Sequence, residues 1–166
     1  KASDEEFDAV ISYDFMPHFP DWPDLLKEQA RVCKKGGQVI FAINLKEHRT
    51  LASKISQGNY THPYSFKVGE KGKHFWAETS IAEATKAGKG ANMTLTEIIP
   101  IKFLYDNLII GKCLGREAYE KVNAEFHEKL KSSEEIGDFY AWLEENYFQH
   151  LEPSTSYHNI LVFKKE

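Results

Sequence analysis

Cysteine is scarce: two residues, Cys33 and Cys113, stand in a chain of 166. They lie in different apolar contexts without CxxC spacing, so neither a disulfide framework nor a paired-thiol site is indicated, and a reduced cytoplasmic setting is expected. Positive charge is short as well. The net charge is −4 and no basic stripe runs along the chain, which argues against general affinity for nucleic acid or anionic membrane. Lys67, Lys71 and Lys73 cluster among glycines and read as a solvated loop. No apolar run reaches the length of a bilayer span, and no signal peptide opens the sequence. The histidines show no HExxH or paired-Cys spacing. Methionine is missing from the first position, and an apolar run follows almost at once, the pattern expected of a fragment of a longer polypeptide.

What is present suits one globular domain with a sizeable core: apolar residues make up 42% and charged residues 28%. Aromatic side chains are plentiful, with eleven Phe, eight Tyr and three Trp. Core packing accounts for most of such an excess, and the walls of a pocket for an organic or cationic ligand are its other use.

Phe7 to Tyr13 (FDAVISY) is apolar enough to predict a parallel strand buried on both faces. Asp21 or Trp22 opens a helix with Pro23 in its first turn, where a missing N–H costs nothing. Leu25, Leu26, Gln29, Ala30 and Cys33 recur at helical spacing, and Gly36-Gly37 is expected to stop the helix, with Lys34 and Lys35 set against its negative end. Gln38 to Asn44 (QVIFAIN) predicts a second buried strand, completing a βαβ unit. Further on, Glu47 to Ser56 reads as a short helix. Ser80 and Glu83 have capping-box spacing for a helix ending near Gly88. Leu95 to Phe103 reads as a strand in which Pro100 requires a bulge or an edge. Two helices follow, Arg116 to Leu130 and Glu134 to Gln149, the second entered through Ser132 and Glu135. Tyr157 to Phe163 (YHNILVF) is the last strand.

The first of these runs resembles the fourth motif, and its continuation, of the class I S-adenosylmethionine-dependent methyltransferase superfamily, a pattern close to FDxVxxxxxxxHxxDxxxxLxExxRVLKPGGxxxF. Phe7, Asp8, Val10, His18, Asp21, Leu26, Glu28, Arg31, Val32, Lys34, Gly36, Gly37 and Phe41 match it. Cys33 replaces the usual Leu and Lys35 the usual Pro. The later run HFWAETSIAEATKAGKGANMTLTEI resembles that family's approach to its sixth strand. The resemblance implies an α/β, Rossmann-like sheet of which this chain is the second half: strands 4-5-7-6 with flanking helices, the final strand antiparallel between its neighbours, and a helical insertion before it. Residues 1–166 would then be a partial methyltransferase-like domain, with 105–154 a helical insertion serving as substrate lid or dimer surface. Its first strand would be an open apolar edge, to be covered by the missing N-terminal half, a second copy or a partner.

The same resemblance carries the functional expectations. The cofactor is S-adenosylmethionine, the acceptor a small molecule, and the enzyme a methyltransferase whose fragment is inactive alone. The alternative is a non-catalytic methyltransferase-like module for binding or dimerisation. By position, Ser12, Tyr13 and Asp14 would lie against the donor, with the Asp14 carboxylate facing its cationic end. His18 would accept a proton from an attacking O–H or N–H group, or else hold loop backbone in place. Catalysis would rest mainly on alignment. Tyr105, Asp106 and Trp142 are the substrate-facing candidates. Phe126, Leu130, Phe139, Trp142 and Leu143 can equally pack two helices together. Pro17 stands where metal-binding relatives carry a second acid, so no metal is expected. Between strand and helix no GxGxG occurs, and the donor's nucleoside end therefore lacks its usual cradle.

Overall fold

A computed structural model of the chain describes residues 2–55, 77–102 and 114–166. Phe7–Ser12 forms β1 and Cys33–Leu45 forms β2, paired in parallel. The helix α1, Trp22–Val32, crosses between them. A second helix, α2 (Lys46–Ile55), leaves the end of β2 directly. Beyond it, Glu78–Thr79 makes a two-residue strand, β3, parallel to the end of β2. Ile81–Gly90 is α3 and Met93–Ile101 is β4. The helices α4 (Arg116–Ser132) and α5 (Glu134–Asn146) precede β5, His158–Lys165. The sheet order is β1-β2-β5-β4, with β3 against β2, and β5 runs antiparallel to both its neighbours. It is a mixed α/β sheet flanked by helices.

The core forms where two periodicities meet. Val39, Phe41 and Ile43 alternate along β2 and present one face, joined by Leu161 and Phe163 of β5; onto it α1 lays Trp22, Leu26 and Ala30. Phe41 and Phe163 stack at 5.5 Å between centroids, and Trp22 meets Phe41 at 5.9 Å. The helix α3 closes in through Ala84 and Gly88, where a Cβ on the glycine would fall 2.6 Å from the Phe163 ring. Phe148, 8% exposed, lies in a 3-10 turn packed against β4. Phe126 of α4 meets Tyr140 of α5 edge-on at 5.3 Å.

Several expectations change. The helix α1 ends at Val32, before the glycine pair, and Cys33 to Gly37 already belongs to β2. Pairing slips from Phe7↔Cys33 to Ala9↔Gln38, and the surplus residues of β2 bulge through Gly36, at φ 77°. Lys34 bonds the Asp8 carboxylate at 3.0 Å. The strand β1 is largely exposed, Ile11 at 69%, because among the described residues β2 is its sole partner in the sheet. The helix α5 is capped by Ser133, whose hydroxyl accepts from Ile136 N, one residue beyond the expected Ser132. Phe139 and Trp142 stay 60% and 54% exposed, so Phe126 and Tyr140 carry the α4–α5 contact instead. β4 is an edge strand, as Pro100 requires, although its register shift falls between Leu95 and Glu97.

Candidate functional site

Because β1, β2 and β4 run in one direction, their carboxyl ends share a rim with the start of β5. Ligands of open α/β sheets bind beyond such ends. Polar residues crowd there: Ser12, Tyr13 and Asp14 after β1, Asn44 near the end of β2, Lys102 after β4, and Tyr157, His158 and Asn159 at the start of β5.

The loop after β1 is held from both sides. Ser12 Oγ accepts from Gln29 Nε2 at 3.0 Å, which ties the end of β1 to α1. Asp14 takes a left-handed backbone, φ 49°, and its Oδ2 pairs with Lys102 Nζ at 3.0 Å. Lys102 is itself left-handed, φ 54°, and its ammonium lies 5.4 Å from the centre of the Tyr13 ring. Burial draws the Lys102 pKa down, but the bond and charge of Asp14, with Tyr13 helping, outweigh it, so the net shift is upward. The outer ends of the sheet, β1 and β4, are thus joined across the rim by a charged bond.

Asn44 is fully buried and both its amide atoms lack a hydrogen-bond partner. Asn159 Nδ2 donates to Ser156 O at 2.9 Å, leaving its Oδ1 unpartnered. Burying an amide atom without a partner costs on the order of 1–3 kcal/mol. Facing residues of an antiparallel pair share a side of the sheet, so Asn44, opposite His158, and Asn159, opposite Ile43, point to opposite faces. Nearby, the Glu78 carboxylate receives Tyr157 Oη at 2.8 Å and Arg49 Nη1 at 2.9 Å. His48 Nδ1 donates to Ser154 O at 2.8 Å. Burial pushes the His48 pKa down to about 4, opposed by that bond and assisted by His158. A cavity of about 370 Å³ opens between α2 and the start of α3, lined by Lys46, Glu47, Thr50, Leu51, Lys54, Ser80 and Ser154.

Of the residues singled out from sequence, Ser12, Tyr13 and Asp14 gather at the rim. His18 is exposed at the end of the Met16–His18 turn, whose other two residues are buried. Trp142 stands apart on α5, stacked on Phe139 at 6.3 Å. Tyr105 and Asp106 lie outside the described residues. Lys102, Asn44 and Asn159 carried no motif, although an amide at one end of an apolar strand run was a visible signal in QVIFAIN and YHNILVF. Among the described residues no three His, Cys, Asp or Glu gather as a metal site, and no helix is long and apolar enough to cross a membrane.

Comparison with known proteins bears on this arrangement. Residues 1–41 match a family model described as "Methyltransferase domain". Among curated proteins none matches. Of solved structures, a SAM-dependent methyltransferase from Thermotoga maritima aligns with TM-score 0.50 and 15% identity over 99% of this chain and 59% of its own. An S-adenosylmethionine-dependent methyltransferase from Mesorhizobium loti aligns with TM-score 0.48 and 8% identity, over 99% and 64%. A phosphoethanolamine N-methyltransferase 2 from Haemonchus contortus, solved with phosphomonomethylethanolamine and S-adenosylhomocysteine, gives 0.46 and 17%, over 99% and 34%. The chain spans little more than half the length of the Thermotoga structure. The fold is similar to that of the Thermotoga structure, and the family match falls on the residues that carry the sequence resemblance.

Proposed function

We propose that this chain is the later half of an S-adenosylmethionine-dependent methyltransferase domain acting on a small molecule. The observation that carries the reading is the rim: the residues at the end of β1, in the segment matched by the family model, place an aromatic ring and a carboxylate where a cationic ligand is expected. The sheet order β1-β2-β5-β4, with β5 antiparallel, supports it as the 4-5-7-6 portion of that fold. The donor supplies, when bound, an electrophilic methyl group on a cationic sulfur. Tyr13 and Asp14 suit that cationic end through ring quadrupole and charge. The buried amide of Asn44 offers a donor and an acceptor at the same rim. His18, exposed beyond Asp14, is the assigned proton acceptor for an O–H or N–H nucleophile. Trp142, with Tyr105 and Asp106, is assigned to the acceptor side. The residues present fit the cationic end of the donor; for its nucleoside end the sequence offers no glycine-rich turn between strand and helix.

A second reading, a non-catalytic module for binding or dimerisation, is favoured by one observation, the exposed apolar edge at β1. Ligand-observed NMR of the purified chain with millimolar S-adenosylmethionine and S-adenosylhomocysteine separates the two. Weak, fast-exchanging binding of both, with line broadening abolished in an Asp14→Asn, Tyr13→Ala variant, is expected of the methyltransferase half. A folded sample that touches neither compound sinks that reading and leaves the module.

A further inference from the structure

The ammonium of Lys102 rests in what is, chemically, a small receptor for cations: the Asp14 carboxylate at 3.0 Å and the Tyr13 ring at 5.4 Å from its centre. We propose that Tyr13 and Asp14 form an onium-binding site which the chain fills with its own Lys102, and that a cationic ligand binds by displacing that lysine. The identity of the ligand as the sulfonium donor rests on the function proposed above; the exchange itself does not.

Backbone geometry marks the spot. Asp14 and Lys102 are both left-handed, at φ 49° and 54°, a conformation disfavoured for L residues, less so for Asp. Such strain persists where the surroundings over-determine it and concentrates at ligand sites and switches. Here the two strained residues, 88 positions apart in sequence, are bonded to each other. Access is open on the receptor side, with Tyr13 59% exposed and the Asp14 side chain 39% exposed. Lys102 can leave, since its charge sits on a flexible four-carbon stem, and an ion pair whose side chains are 24% and 39% exposed is held less tightly than a buried one. Exchange of one cation for another conserves the charge facing Asp14. A neutral thioether, by contrast, brings nothing to replace the ammonium. Lys102 therefore competes with the charged ligand alone, stays in place beside the neutral one, and returns when the charge is gone.

Titration of the whole chain and its Lys102→Met, Lys102→Arg and Asp14→Asn variants tests this, with S-adenosylmethionine, S-adenosylhomocysteine and trimethylsulfonium as probes and the Tyr13 ring resonances as reporter. In Lys102→Met the preference for the charged compound over the neutral one should rise by up to about fivefold, and trimethylsulfonium should shift the Tyr13 signals at lower concentration. Lys102→Arg should keep the wild-type preference, and Asp14→Asn should bring it close to parity. An unchanged preference in all variants overturns the exchange while leaving donor binding intact. Asp14-dependent shifts with trimethylsulfonium but no binding of either adenosyl compound uphold the onium site and sink the donor reading. If no probe moves Tyr13 in a folded sample, the onium site is overturned.

Discussion

His48 shows how much one buried side chain can commit. It is fully buried between α2 and the Pro153–Thr155 turn, donating from Nδ1 to Ser154 O. Its pKa falls from 6.5 to about 4 because burial penalises the imidazolium. Between those values the unfolded chain binds the proton and the folded chain does not, so the contribution is intact above pH ~6.5 and drains away as pH falls toward about 4. At ~1.4 kcal/mol per pKa unit the loss approaches about 3 kcal/mol. Urea denaturation at about pH 7 and about pH 4.5 should show it, and His48→Gln, less stable at neutral pH, should show a flatter dependence. Equal slopes in the two proteins would remove His48 as the cause. At this scale the sequence was partly legible. Tyr13 and Asp14 were singled out because a local motif surrounds them. Lys102 was not, because what gives it meaning is a bond to a residue on the opposite edge of the sheet. Asn44 and Asn159 break apolar strand runs, a signal that marks a polar group in a core without saying what it is for.

The elements divide by whether their cause is local. The helix α3 is specified within a few residues: Ser80 Oγ accepts from Glu83 N at 3.1 Å while the Glu83 carboxylate accepts from Ser80 N at 2.8 Å, the reciprocal cap that the spacing predicts. Lys46 adds a bond to that carboxylate at 2.7 Å and holds α2 against the start of α3. Ser80→Ala should cost about 1 kcal/mol in thermal or urea unfolding, with Ser80→Asp close to wild type; a silent Ser80→Ala would mean that packing of Ala84 and Gly88 alone sets this helix. Elements whose limits depend on distant neighbours were read less well. The Gly36-Gly37 pair suggested a helix stop, yet Cys33 to Gly37 pair or bulge as strand because β1 lies alongside. The strand β3 is too short for any periodicity and exists because the end of β2 offers it a partner. Phe139 and Trp142 recur at helical spacing like core residues and nevertheless face outward.

For the molecule as a whole, the decisive fact is the imbalance between its two sheet edges. β4 carries Pro100 and a register shift, and the turn holding Phe148 packs on it, features that blunt an edge. Among the described residues β1 has no proline and no turn packed on its open side. Phe7, Ile11, Tyr13 and Phe15 are all exposed along it and the loop that follows. Apolar sequence was read there as burial on both faces, which takes a neighbour on each side; among the described residues the strand has one neighbour and is the open apolar edge that was also expected. An edge of this kind recruits strands. The chain at rising concentration should therefore self-associate in sedimentation velocity, and Ile11→Lys, which puts a charge on the open strand without touching the α1 face, should shift it toward monomer with little change in unfolding midpoint. Were wild type and Ile11→Lys equally monomeric, the edge would be tolerated by solvent, and the argument that this sheet is built to accept another strand would lose its physical basis. Should Ile11→Lys abolish association, the same variant gives a clean background on which to offer candidate strands in trans and ask which of them restores pairing at β1.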